Sequence, residues 1–103
     1  MTDGQLLKAA SGFRKGLLKN HSSESMCFVV TYPLQGYLSF LGFKTALIEG
    51  EIDCGDHIVG HFWLRLPDGR ICDPTADQFS IPERAMPPVY IGEKPNWYEE
   101  TVR

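Results

Sequence analysis

Cys27 has the residue type and the setting of a thiol nucleophile. It stands in Ser25-Met26-Cys27, at the head of an apolar, helix-like run. A cysteine near a helix N-terminus faces unbonded backbone N–H groups and the positive end of the helix dipole, and both favour its thiolate. Two later segments supply candidate partners. His61 lies in the alternating run His57-Ile58-Val59-Gly60-His61-Phe62-Trp63-Leu64-Arg65-Leu66, and Asp73 lies in Ile71-Cys72-Asp73-Pro74-Thr75. Each has a simpler reading when taken alone: a small core residue for Cys27, a half-buried strand histidine for His61, and a turn residue before proline for Asp73. A rival grouping, Cys54, His57, His61 and Cys72, has zinc-ligand residue types but lacks compact Cys-x-x-Cys knuckles.

The elements that would position these side chains follow from periodicity. Leu6, Leu7, Ala10, Phe13, Leu17 and Leu18 recur at three- and four-residue intervals, which predicts an amphipathic helix over about 4–19. Lys8, Arg14, Lys15 and Lys19 are expected on its solvated face. Asn20-His21-Ser22-Ser23 suits a turn and a new N-cap, so that Ser23 would cap a second helix with Cys27 about one turn inside it. Met26, Val29, Val30, Pro33, Leu34, Tyr37, Leu38 and Leu41 form its apolar face. Pro33 predicts a kink or a break, and Gly42 has the place of a C-terminal cap.

Strands follow. Residues 43–50 alternate well enough for a first strand, and 51–56 read as a strand end or loop. Aromatic and β-branched residues make 57–66 the clearest strand of the chain. Asp68-Gly69 closes a hairpin whose returning arm is 70–73. Beyond it, 76–79 predicts one helical turn, Val89-Tyr90-Ile91 an edge strand among prolines, and Trp97 and Tyr98 a tail that packs back on the domain or meets a partner. Helices followed by an antiparallel sheet place the chain in the α+β class.

With 103 residues and 43% hydrophobic composition, 1–103 reads as a single domain with a small core. A net charge of −3 argues against nucleic acid, which needs a clustered basic surface. No apolar run has the length of a membrane span, and the first residues lack a basic segment followed by an apolar core. Three cysteines without a framework spacing point to reduced thiols. The expectation is a cytoplasmic protein with no membrane or nucleic-acid partner and no cofactor, its subunit number left open.

At Cys27, at His61 with Trp63, and at Asp73 with Pro74 and Thr75, the chain resembles the transglutaminase-like branch of the papain-like cysteine enzymes. That pattern is a cysteine opening a helix, a histidine in a His-x-Trp strand, and an aspartate before Pro-Thr in the following strand; the resemblance spans about residues 22 to 79. It implies a papain/transglutaminase-like core with the Cys27 helix packed on a small antiparallel sheet. It also implies a mechanism in which His61 accepts the Cys27 proton, the thiolate attacks an amide carbon to give a thioester, and Asp73 orients the imidazole. The substrate would be a peptide or protein amide of the glutamine type, with water giving hydrolysis or deamidation and an amine giving transamidation. An oxyanion hole would use the Cys27 N–H and a second donor, with Gln78, His21 and Asn20 as candidates; Trp63 would pack or wall the cleft. The other readings are a non-catalytic binding module of the same fold, meeting a protein partner around Trp63 and Trp97, and a zinc-stabilised interaction domain.

Overall fold

The computed structural model describes residues 1–19, 21–22, 24–81 and 84–101. Its first helix, α1 (Asp3–Leu18), begins where Thr2 and Gln5 cap each other. Thr2 Oγ1 accepts from the Gln5 N–H at 3.1 Å, and Gln5 Oε1 accepts from the Thr2 N–H at 2.9 Å. This reciprocal pair satisfies two donors that a helix start leaves unbonded. Leu6, Ala10 and Leu18 form the buried side of α1.

The second helix, α2 (Cys27–Phe40), starts at the cysteine itself, with Met26 at the cap position and no side-chain cap bond. Ser23, expected there, lies outside the described residues. The helix runs through Pro33 without a break. Pro33, Val29 and Tyr32 are exposed on one side of the helix, while buried Val30, Thr31, Leu34 and Leu38 hold its other side to the sheet. The apolar face is therefore narrower than expected, with Val29, Tyr37 and Leu41 exposed. Proline inside a helix costs about 3 kcal/mol against alanine. Pro33→Ala is thus expected to stabilise the fold by roughly 1–3 kcal/mol in urea denaturation; an unchanged or lower midpoint would show that the proline is accommodated without cost. Gly42 ends α2 as expected. At φ 85° it lets its own N–H reach the Ser39 carbonyl and the Phe43 N–H reach the Leu38 carbonyl, each at 2.9 Å.

Because that cap uses the Phe43 N–H, the first strand starts later than expected. β1 (Ala46–Asp53) also continues past Gly50, pairing with strands on both edges. β2 (Ile58–Arg65) returns antiparallel after a turn in which Gly55 has φ 92°. The Asp68-Gly69 hairpin leads to β3 (Ile71–Asp73), followed by a 3-10 turn at Ala76–Phe79. β4 (Tyr90–Gly92) is the expected edge strand, shifted by one residue, and β5 (Tyr98–Glu100) makes the tail's packing a strand pairing against β1. The sheet is fully antiparallel, in the order β4-β3-β2-β1-β5.

The chain is thus α+β, with two helices packed on a five-stranded sheet. Strand alternation divides the core between the two faces. Leu64, Leu66 and Cys72 meet Leu6, Ala10, Leu34 and Leu38 on the helix side. Ile48, Ile52, Trp63 and Ile71 meet Phe79 and Tyr98 on the other. No helix among the described residues is long and apolar enough to cross a membrane.

Candidate active site

His61 and Asp73 project from the face opposite the helices, as do their strand neighbours Trp63 and Ile71. β3 pairs with β2 only at Leu64–Cys72 and Arg65–Ile71. The β2 edge from Ile58 to Trp63 therefore has no strand partner on that side among the described residues, and the first turn of α2 meets it. Phe28 packs edge-on against Phe62, with ring centroids 5.0 Å apart, which sets Cys27 beside the strand that carries His61.

His61 is 1% exposed and Asp73 is fully buried. The imidazole Nε2 lies 2.6 Å from Asp73 Oδ2, which also accepts from the Tyr98 hydroxyl at 2.6 Å. The other carboxylate oxygen, Oδ1, accepts from the Thr75 N–H at 3.0 Å and from its hydroxyl at 3.4 Å. About four acceptor positions are open to a carboxylate, and here each has a donor. His61 Nδ1 is left with no hydrogen bond of standard geometry. The same imidazole interacts with the Cys27 sulfur through hydrogen bonding and charge.

The electrostatics follow from this arrangement. Burial opposes the Cys27 thiolate, but hydrogen bonding and charge from His61, then the backbone N–H groups of Phe62 and Phe28, outweigh it and lower the thiol pKa from 9.0. Burial likewise opposes the imidazolium. The charge and hydrogen bond of Asp73, followed by Cys27, raise the His61 pKa from 6.5 to about 9. The other thiols move the opposite way: burial raises Cys54, and pushes Cys72 up to about 12. Cys27 alone of the three is placed to be a thiolate beside a charged imidazole.

A pH dependence of stability follows. The folded state holds the His61 proton more tightly, so its contribution is full below 6.5 and lost as pH rises through about 9. The Cys27 thiol acts in the opposite sense, contributing above its unfolded pKa and losing that contribution as pH falls through its lowered folded value. In Cys27→Ala the opposing thiol contribution is gone, and Asp73 still raises the His61 pKa, without the part that Cys27 supplies. The thermal midpoint of that variant is expected to fall as pH is raised from 6.5 toward 9, and a rise over that interval would contradict the direction of the His61 shift.

The remaining candidates are placed differently. Gln78 Nε2 donates to Thr75 Oγ1 at 3.0 Å, so one N–H of its amide braces the residue behind Asp73. Trp63 is 1% exposed, packed over Gly50 and edge-on to Tyr98, and has no surface to offer a cleft or a partner. Trp97 is half-buried, with the Arg84 guanidinium 4.3 Å from its ring centroid. His21 is exposed in the bend after α1, and Asn20 lies outside the described residues. Of the zinc-type grouping, His57 is exposed and pairs with Asp56, Cys72 faces the helices, and no three His, Cys, Asp or Glu side chains among the described residues are grouped so that they could hold a metal ion.

Two contributors carried no signal that spacing could read. Tyr98 reaches Asp73 from β5, across 25 residues. Arg14, expected on a solvated helix face, instead grips Asp77 at 2.7 and 2.9 Å and the carbonyls of Pro74 and Pro88 at 2.9 and 3.0 Å. It ties α1 to the turn that follows Asp73. No protein-family model, curated protein or solved structure matches this chain.

Proposed function

We propose that this chain is a cysteine-dependent amide hydrolase or acyltransferase with a papain/transglutaminase-like core, acting through Cys27, His61 and Asp73. The observation that carries the reading is the buried 2.6 Å bond between His61 Nε2 and Asp73, which leaves Nδ1 unbonded on an imidazole that lowers the Cys27 pKa. Most buried side-chain polar atoms have a hydrogen-bond partner, and here the ring nitrogen that lacks one belongs to the imidazole acting on the Cys27 thiol.

In this reading the Cys27 thiolate attacks the carbonyl carbon of an amide, and the π electrons move to the oxygen. The Cys27 N–H, at the first helical position and without a carbonyl partner in the helix, is the donor that would stabilise that oxyanion. Collapse of the adduct breaks the C–N bond as the His61 imidazolium gives its proton to the departing nitrogen, leaving a thioester on Cys27 and a neutral imidazole. Water or an amine then adds to the thioester while His61 takes its proton, and the thiolate leaves. Asp73 holds the ring through both transfers and stabilises its charged form. The helix-borne nucleophile and the strand-borne His and Asp are what a transglutaminase-like core would supply, and a protein or peptide glutamine-type amide is the substrate that this likeness favours.

Acyl capture is the direct test. Exposure to p-nitrophenyl acetate, followed by peptide mass spectrometry, is expected to place one acetyl group on Cys27 and none on Cys54 or Cys72. An unmodified Cys27 with no release of p-nitrophenolate above that of Cys27→Ala, or equal modification of all three, would count against the proposal.

A further inference from the structure

Asp73 Oδ2 serves two buried donors at once, His61 Nε2 and the Tyr98 hydroxyl, each at 2.6 Å. A carboxylate oxygen that accepts a second strong hydrogen bond has less electron density to offer the first. Tyr98 is held for this contact by its strand. Its N–H donates to the Pro95 carbonyl at 3.1 Å, β5 pairs with β1 at Ile52, and flanking bonds run from the Asp53 N–H to the Trp97 carbonyl and from the Thr101 N–H to the Glu49 carbonyl. The ring is 1% exposed and stands edge-on to Trp63, at 5.2 Å, and to His61, at 6.1 Å. Burial, then Asp73, raise the phenol pKa, so Tyr98 remains a donor throughout the range in which Cys27 and His61 titrate.

We infer that Tyr98 is a positioning residue that fixes Asp73 and limits how strongly its carboxylate binds the His61 ring. The inference rests on His61 and Asp73 being the working pair of the proposed reaction. Its consequence is functional: an imidazolium bound too tightly by Asp73 would be slow to give its proton to a leaving nitrogen, and Tyr98 keeps that proton transferable. The groups facing this cluster are His61 from β2, Cys27 from α2, and Thr75 and Gln78 from the turn after β3. Cys72 lies next to Asp73 on the other face, and Tyr90 and Arg84 act on the Tyr98 hydroxyl. None of these other than Tyr98 donates to Oδ2 alongside His61 among the described residues.

The test is a nitrogen-15 NMR titration of the His61 ring, assigned by its loss in His61→Gln, in the wild-type chain and in Tyr98→Phe, which keeps the packed ring and removes only the hydroxyl. The His61 pKa is expected to rise by about one unit in Tyr98→Phe. An unmoved or lowered value would overturn the inference. Replacing the tyrosines by 3-fluorotyrosine, a stronger donor, gives a second reading should Tyr98→Phe not fold: His61 is then expected to titrate lower, and no shift or a rise would overturn the inference. Failure of the proposed function is separately visible, because a Cys27 that ionises as a free thiol would sink that reading while the His61 titration still answers for Tyr98.

Discussion

Asp73→Ala is expected to destabilise the fold by roughly 3–5 kcal/mol, the range found when one partner of a buried charge pair is removed. The substitution strands the His61 Nε2–H, the Tyr98 hydroxyl and the Thr75 N–H together, each in a place that water does not reach. It also removes the charge that holds the imidazolium against burial, so the His61 pKa falls and the thiolate beside it loses its counter-ion. Alkylation of Cys27 at neutral pH should then slow by about tenfold for each unit by which the thiol pKa rises. Asp73→Asn retains the volume and one acceptor oxygen, and is expected to lose less stability while still slowing the thiol. Denaturation midpoints and alkylation rates on the same samples separate the two effects. A fully stable Asp73→Ala with an unchanged Cys27 rate would mean that the network is not coupled to the thiol.

The second large effect lies one strand away. A Cβ at Gly50 would stand 2.2 Å from Trp63 Cη2 and 2.3 Å from the Glu99 carbonyl oxygen. Overpacking usually costs about 1–3 kcal/mol, and here one of the two obstacles is the backbone of β5, so Gly50→Ala is expected at or above the upper end of that range. The strain has a direction. It pushes on the indole that stands edge-on to Tyr98 and on the strand that carries Tyr98, and so loosens the contact to Asp73. Urea denaturation and the near-ultraviolet circular dichroism of the tryptophans read this together. Gly60→Ala, on the neighbouring strand with open space at its Cβ, is the matched control and should cost little. Equal midpoints for the two variants would contradict the packing argument.

These two residues show where the sequence was legible and where it was not. The order of Cys27, His61 and Asp73 could be read because each belongs to a locally recognisable element: an apolar helix, an alternating strand and an arm returning from an Asp-Gly turn. The alternation that sets Trp63 with His61 also predicts their shared face, which holds. Alternation places the first strand over 43–50 with 51–56 as its end or a loop, whereas Gly50 sits inside β1, where Trp63 lies against its backbone. At Pro33 local propensity predicts a kink or break, and packing of the opposite helix face overrides the break. Tyr98 and Arg14 were not legible as site residues at all. Their partners are 25 and 63 residues away, and nothing periodic links a proline-rich tail or a helix arginine to the turn around Asp73.

The central claim is that His61 holds Cys27 as a thiolate. It is tested most directly by the pH dependence of iodoacetamide alkylation at Cys27, followed by peptide mass spectrometry in the wild-type chain and in His61→Gln. The expected result is a wild-type Cys27 whose reactive form appears below 9.0 and ahead of Cys54 and Cys72, with an upward shift of that transition in His61→Gln. A Cys27 transition at or above the ordinary thiol value, or one that His61→Gln leaves in place, would contradict it.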